Sequence, residues 1–514
     1  MNGAESLLRS LVGSGVELCL TNPGTSEMHF VAALDRVPGM RAVLGLQENV
    51  VTGAADGYGR MQGRPAATLL HLGPGLANGL ANLHNAKRAH TPVVNVIGDH
   101  ATTHRHLDAP LTSDVEAVAA PFSHWVRTTQ SARAVGRDAA EAVAAARSAP
   151  GRIASLVLPA DASWNEPGVP SKAIEPTTPA TPPEETIREI ATRLQASESA
   201  VLLLGGHALR EAPLALAAAI AEATGAKLFS TTFYPRLERG GERADIVRLP
   251  YFPEQAAATL AEAQDLILVH TAAPVAFFAY PDMPSEIAAP STRLHTLAEL
   301  EEDAEGALRA LAEQVGARVT PGAHRSRAAL AERPTGELNP LSLASAVAAT
   351  LREHTIVVDE STTGGAFLLG ATAAAPAHDW LPLTGGAIGQ GMPAATGAAL
   401  ACPDRPVLNV ESDGSAMYTL QALWTQARES LDVTTIVLSN RSYAILNMEL
   451  ARTGAAPSRE AERLFDLGHP DLDFVALARG MGVPGERVED AEGLVGAIER
   501  AHAEPGPHLI EVPL

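Results

Sequence analysis

Asp413-Gly414-Ser415 closes one apolar run, PVLNVES, and Asn440 closes the next, TTIVLS, 27 residues after Asp413. An Asp carboxylate, an Asn side-chain carbonyl and a nearby main-chain carbonyl are hard oxygen donors of the type that binds magnesium. Gly414 and Ser415 lie at the start of a helix predicted over 416–430, so their backbone N–H groups can face a phosphate. A strand–helix–strand crossover makes neighbouring parallel strands, which puts Asp413 and Asn440 at one carboxyl edge. That edge is where open α/β sheets bind ligands. A metal beside a phosphate implies a diphosphate-bearing cofactor. The plain alternative is an Asp-Gly turn and an unrelated Asn, since both strings are common. The complete crossover between them favours the metal.

Two further residues could carry protons. Glu48, in LGLQENVVTGAADGYGR, follows an apolar run and starts a helix of small residues. In isolation an acid in a first helical turn serves the helix dipole. His71, in TLLHLGPG, ends another apolar run. A lone His there is commonly structural, yet imidazole suits proton transfer near neutral pH. His100, His104 and His106, in GDHATTHRHLD, fit no standard zinc spacing and read as a surface or site-rim loop.

These residues need a frame. The chain has 514 residues, about three domains' worth. Apolar residues make up 46% and charged ones 19%, a globular composition. A net charge of −21 argues against nucleic acid, which needs a basic stripe. Cys19 and Cys402 cannot build a disulfide framework, and MNGAESLLRS is no signal peptide, so a cytoplasmic location is expected. No stretch reaches the roughly 20 apolar residues of a membrane span. ELCLTNP, RAVLGL, AATLLHL, PVVNVIGD and ASLVLP read as strands alternating with helices in the first block. VLLLGG, KLFSTT and DLILVH do so in the second, and TIVVDES, RPVLNVESD, TTIVLSN and HLIEVP in the third. The predicted fold class is α/β, with three doubly wound parallel-sheet domains over 1–165, 185–320 and 335–514. The Pro/Thr-rich 166–184 and a polar stretch before 340 are the linkers.

The segment from Pro406 to Leu446 resembles the diphosphate and metal motif of thiamine-diphosphate-dependent enzymes: Gly-Asp-Gly, some two dozen residues, then Asn-Asn. Ser412 stands in place of the first Gly and Arg441 in place of the second Asn. The resemblance implies magnesium (Mg2+) held by Asp413, Asn440 and the main-chain oxygen of Ser442. It implies thiamine diphosphate contacted by Gly414, Ser415, Asn440, Ser442, Tyr443, Ala444 and Ile445. Glu48 becomes the acid that contacts the cofactor's pyrimidine nitrogen and holds the imino tautomer. TNPGTSE is similar to an Asn-Pro-Gly-Ser loop, with Thr25 at the place of an active-site serine, and TLLHLGPG brings His71 to the site. VVDESTTGGA makes Thr362 a contact near the diphosphate. In TGGAIGQGMP the Gly386 carbonyl holds the pyrimidine amino group and Ile388 wedges the bent cofactor. The matches run in register over nearly the whole chain, which is identified as a member of the pyruvate oxidase, acetolactate synthase and benzoylformate decarboxylase group.

Membership implies non-oxidative decarboxylation of a 2-oxo acid through a carbanion–enamine intermediate, with Thr25 and His71 handling protons. The alternative is a carboligase that joins the intermediate to a second carbonyl and yields an acyloin. A cofactor-binding scaffold without catalysis is a third reading, opposed by Glu48, His71, Asp413 and Asn440. In such enzymes each site is shared between subunits, implying a homodimer or homotetramer. Two segments depart from the pattern. APVAFFAYPDM has Phe277, Phe278 and Tyr280 where benzoylformate decarboxylases carry a second His, which points to aliphatic or small polar 2-oxo acids. SYAILNMEL differs from the Gly-Met-Val of acetolactate synthases; Ile445 and Leu446 line the pocket, and Glu449 either sets substrate polarity or faces solvent. LLLGGHALR gives no indication of FAD.

Overall fold

The computed structural model describes residues 1–456 and 458–514. Three sheets form, one per sequence block. The first has six parallel strands in the order Arg41–Leu44, Leu18–Thr21, Ala66–Leu70, Val93–Asp99, Ile153–Pro159, Trp125–Thr128. The second has five, ordered Val247–Arg248, Lys227–Ser230, Ala200–Leu204, Asp265–Val269, Arg293–Ala298, again parallel. The third runs Gly485–Arg487, His508–Pro513, Val433–Ser439, Val407–Ser412, Ile356–Glu360, His378–Pro382, all parallel, and ends in an antiparallel Leu237–Arg239. That last strand comes from the middle block, so the third sheet is mixed where an all-parallel one was expected. Its neighbour Arg236 reaches Asp379 of the adjoining strand at 2.5 Å, which fastens the graft.

The central strands are buried on both faces, as sheets covered by helices on two sides must be. Residues 166–183 carry no regular structure, and a helix starts at Glu184. The helix expected to end at Gly225 spans Glu211–Thr224, with Gly225 at φ 76° closing it in the left-handed region. The helix predicted over 416–430 is instead two, Asp413–Thr419 and Ala422–Glu429, and Asp413 is already helical. Cys19 and Cys402 are free. Among the described residues no helix is long and apolar enough to cross a membrane.

The first and third blocks are joined by two helices, Glu48–Gln62 and Gly391–Ala401. Every residue of the second and all but Gln62 of the first are buried. A helix buried all round must be apolar or small all round, and these are rich in Gly and Ala. Their backbones nearly touch. A Cβ placed on Gly57 would lie 2.0 Å from the carbonyl oxygen of Ala394, and one on Gly397 would lie 1.9 Å from that of Ala54. Beside the crossing, the buried pair Asp56–Arg60 is tied into the third block, where Gln390 Nε2 donates to Asp56 at 2.8 Å and Arg60 donates to the Pro382 carbonyl at 2.9 Å.

The crossing makes an opposite-sign test of helix propensity. Gly397→Ala improves helix propensity by about 1 kcal/mol, but its methyl meets backbone and the overpacking costs about 1–3 kcal/mol. A net fall in the urea midpoint at unchanged m-value is expected. A raised midpoint would show that the helices part without cost.

Candidate active site

Glu48 is the first residue of its helix, with Gln47 as an extended N-cap, and is 8% exposed. Its Oε2 accepts a hydrogen bond from Asn78 Nδ2 at 3.0 Å. Asn78 sits on the helix Leu72–Arg88, which begins just after His71. His71 Nδ1 lies 2.9 Å from Glu27 Oε2, and that oxygen also accepts the Gly24 N–H at 2.8 Å. Glu27 is 1% exposed, and its Oε1 has no partner among the described residues. Burial raises the Glu27 carboxyl above its ordinary range, and the adjacent His71 pulls it back. Gly24 is required here, because a Cβ would lie 2.1 Å from His71 Nδ1. Thr25 opens the short turn Thr25–Glu27 and is exposed. One cluster therefore joins Glu48, Asn78, His71 and Glu27 near the carboxyl ends of strands Leu18–Thr21 and Ala66–Leu70.

The other predicted residues meet at the edge of the third sheet. Strands Val407–Ser412 and Val433–Ser439 pair with Ser412 opposite Leu438, so Asp413 and Asn440 leave the sheet side by side. Asp413 accepts the N–H of Gly414 at 2.8 Å and of Arg441 at 2.7 Å; burial raises its carboxyl and these bonds lower it. Asn440 Oδ1 accepts the Ser442 N–H at 2.9 Å. Each of these side-chain oxygens keeps a lone pair for a cation. Gly414 is pressed against Tyr443, whose ring would stand 2.4 Å from a Cβ there. Asp413-Gly414-Ser415 forms the first turn of its helix, Ser415 is buried, and Ala444 and Ile445 begin the helix Ala444–Arg452. One carboxylate, one amide oxygen and the first turn of a helix beside them fit a hard divalent cation next to a diphosphate. Ser412, at the place of a Gly, donates to the Glu360 carbonyl at 2.7 Å, and its Oγ lies 3.0 Å from Thr362 Oγ1. Thr362 is at φ 45°.

Residues 383–390 carry Gly386 and Ile388 and pass between the clusters. Asn85 bonds both sides of Ala387, donating to its carbonyl at 2.7 Å and accepting its N–H at 3.2 Å, while Asn82 donates to the Gly389 carbonyl at 3.0 Å. Gly386 is at φ 79°, and Phe277 Cζ of the middle block stands 2.7 Å from where its Cβ would be. Phe277 packs with Phe233, Tyr251 and Phe278, at ring separations of 4.7 to 5.7 Å. Glu449 does not face solvent: Tyr280 Oη donates to its Oε2 at 2.8 Å. Among the described residues no cluster of three His, Cys, Asp or Glu could hold a metal; His100 and His104 merely approach each other, at 5.4 Å between rings.

Glu360 and Glu411 were not singled out in the sequence, yet they shape this segment. Glu360, 2% exposed, accepts the N–H of Gly389 and of Gln390 at 2.7 Å each, and that of Gly391. Glu411 is fully buried beside it. Burial, then the neighbouring Glu360 charge, raises Glu411 well above the ordinary 4.5. Two adjacent buried carboxyls cannot both ionise, so Glu360, with three N–H donors, keeps the charge and Glu411 keeps the proton. The folded-state value of Glu411 exceeds the unfolded one. Its contribution is therefore complete below pH 4.5 and is lost as pH rises toward the folded value. Across that window this one group removes about 1.4 kcal/mol per pH unit. Glu411→Gln keeps the shape and removes the titration, so unfolding free energies measured from pH 5 upward (about 5 to 9) should decline less steeply in the variant. Parallel declines would assign the proton elsewhere.

Comparison with known proteins agrees with this geometry. Residues 1–120 match the thiamine pyrophosphate enzyme, N-terminal TPP binding domain, and residues 367–512 match the C-terminal TPP binding domain of the same enzymes. The chain is 54% identical, over 100% of its length and 99% of the relative's, to a Mycobacterium tuberculosis protein named "Putative acetolactate synthase large subunit IlvX". It is 32% identical to benzoylformate decarboxylase of Pseudomonas aeruginosa, covering 97% of this chain and 96% of that one. Among solved structures, the thiamine diphosphate-dependent 4-hydroxybenzoylformate decarboxylase of Rhodococcus jostii superposes with a TM-score of 0.85 at 26% identity, over 100% of this chain and 99% of the other. With both cofactor-binding domains and full-length relatives in common, the chain belongs to the thiamine pyrophosphate (thiamine diphosphate) enzyme family.

Proposed function

We propose that the protein decarboxylates a 2-oxo acid without oxidation, using thiamine diphosphate and magnesium, as a cytoplasmic homodimer or homotetramer with sites shared between subunits. The observation that carries this reading is the Glu27–His71 contact next to the buried Glu48, which prepares two separate proton-handling groups on one sheet edge. Full-length similarity to benzoylformate decarboxylase supports it.

Asp413, Asn440 and the main-chain oxygen of Ser442 would hold magnesium. Gly414 and Ser415, with Thr362, Tyr443, Ala444 and Ile445, would hold the diphosphate side, and Gly386 and Ile388 the pyrimidine side. When bound, thiamine diphosphate supplies a nucleophilic carbon and an electron sink for loss of carbon dioxide. Asn78 donates to Glu48 Oε2, so Oε1 is the oxygen left to carry a proton. Glu27 accepts at His71 Nδ1, so Nε2 is left to exchange a proton with substrate. Thr25, at the head of the turn that carries Glu27, lies beside that path. Phe277 and Phe278 give the Gly386 side an apolar wall, suited to a substrate with a small apolar side chain. Leu46, Met417, Tyr418, Leu446 and Met448 flank the site residues in sequence and are exposed in one chain, which suits cover by a second copy.

Carboligation is the second reading, favoured by the 54% identical relative with its acetolactate synthase name. A panel of aliphatic and aryl 2-oxo acids, assayed for aldehyde and acyloin together, separates the two. Aldehyde as the main product supports decarboxylation, and acyloin as the main product transfers the assignment to carboligation. Glu48→Gln should lower turnover by at least about a hundredfold while magnesium-dependent cofactor binding persists. A fully active variant would remove Glu48 from this role.

A further inference from the structure

Aromatic side chains are scarce in this chain, with 10 Phe and 6 Tyr in 514 residues, yet six of them share one wall of the middle block. Phe233, Tyr251, Phe252, Phe277 and Phe278 touch in series, their ring centroids 4.7 to 6.2 Å apart. Tyr280 joins them through the Arg452 guanidinium, which lies 4.4 Å from the Phe252 ring and 4.8 Å from that of Tyr280. Core packing does not account for this grouping. Phe277 and Phe278 are 39% and 54% exposed, and of the six rings only Tyr280 is buried.

The wall meets the candidate active site at two points. Phe277 Cζ stands 2.7 Å from where a Cβ on Gly386 would be, and Tyr280 Oη donates to Glu449 Oε2 at 2.8 Å. Glu449 follows Ile445 by four residues, so the two share a face of the helix Ala444–Arg452. The rings therefore run from the Gly386 segment toward the Ile445 helix, with the Glu449 carboxylate at their far end. Among the described residues no cation pairs with that carboxylate. Arg452, the positive group nearby, is taken by Glu254 through two bonds of 2.7 Å, and Glu449 Oε1 has no hydrogen-bond partner among the described residues. Burial, then the Glu449 charge, pushes the Tyr251 phenol up, so that ring lies in the same field.

Ring faces attract cations, and guanidinium groups stack on them, as Arg452 does here. A carboxylate left without a counter-ion beside those rings completes a cation-selective surface. We propose that the 2-oxo acid of this site carries a cationic group at the end of an aliphatic side chain, its carbons along Phe277 and Phe278 and its charge against Tyr251 and Tyr280, opposite Glu449. The inference rests on the decarboxylation reading for the reaction, and it extends the apolar wall beside Gly386 into a charged far end. A neutral or aryl side chain would leave Glu449 without its counter-charge, which is how the surface discriminates.

The test uses the protein loaded with thiamine diphosphate and magnesium. Two 2-oxo acids of equal length that differ in charge, 5-guanidino- and 5-ureido-2-oxopentanoate, are assayed beside 2-oxohexanoate and benzoylformate. The guanidino acid is expected to exceed the ureido acid in kcat/KM by about tenfold, mainly through KM. Glu449→Gln keeps an oxygen for the Tyr280 hydroxyl and removes the charge, so this ratio should fall toward one. The 2-hydroxy analogues of the same pair, which have no ketone to react, are titrated by calorimetry, so recognition is read with or without turnover. Selective binding of the guanidino analogue with no product from any of the four acids supports the cationic wall and overturns the decarboxylation reading instead. Equal affinity for the two analogues, a higher kcat/KM for benzoylformate than for the guanidino acid, or a charge preference unchanged by Glu449→Gln overturns the proposal.

Discussion

The structure depends on one close approach, the crossing of helices Glu48–Gln62 and Gly391–Ala401. At Gly57 and Gly397 backbone meets backbone with no room for a methyl group, and Gly53 admits Asn82 and Pro393, each 2.6 Å from where its Cβ would be. Gly53 and Gly57 are four apart, so they share a helix face. Because the partner helix is met at that face, the other faces of Glu48–Gln62 pack against the helix Leu72–Arg88 and the first sheet, and nothing on either crossing helix can be large or polar without a partner. The 4% aromatic content is the compositional trace of this packing. The crossing also fixes the site. Glu48 is the first residue of one helix, and residues 383–390 lead straight into the other.

Electrostatics in this chain is local. A net charge of −21 sets an unfavourable field for anions, yet salt screens such a field within about 10 Å. What holds an anion is then what lies within hydrogen-bond reach. At the edge of the third sheet those are the N–H groups of the Asp413–Thr419 turn, to which a cation on the oxygens of Asp413 and Asn440 would add on the proposed reading. The same logic sorts the carboxylates. Backbone N–H groups converge on Asp413 and on Glu360 and offset the cost of burying them, whereas Glu411, one residue before Ser412, has fewer donors (Asn409 and the Met392 backbone) and the Glu360 carboxyl beside it, so its carboxyl is raised furthest.

Much of this was legible in the sequence. Apolar runs located the central strands, and the crossover between Asp413 and Asn440 predicted their adjacency, which the register Ser412–Leu438 shows. Edge strands such as Trp125–Thr128 and Gly485–Arg487 were not legible, since they are short and carry no strong apolar run. The single helix expected over 416–430 ignored Leu420 and Gln421, where the chain turns between two helices. Glu27 carries no signal in the sequence, because its partner His71 is 44 residues away and only strand pairing brings them together. Glu411 did leave a signal. A carboxylate inside the run VLNVES, in a strand flanked on both sides, must be neutral or paired.

The middle block is more than a spacer. It lends Leu237–Arg239 to the third sheet, places Phe277 against Gly386, and holds the helix after the Asn440 turn through Tyr280–Glu449 and the two bonds, 2.7 Å each, from Arg452 to Glu254. Arg452 also lies over the rings of Phe252 and Tyr280, at 4.4 and 4.8 Å. The Ala444–Arg452 helix has no fully buried residue of its own, so these contacts replace core burial in fixing its position. Ile445 and Gly386 are thus set from the same middle-block surface. A change in that surface moves both walls of the candidate site together, while the Asp413–Asn440 edge, anchored in the central strands, stays where it is.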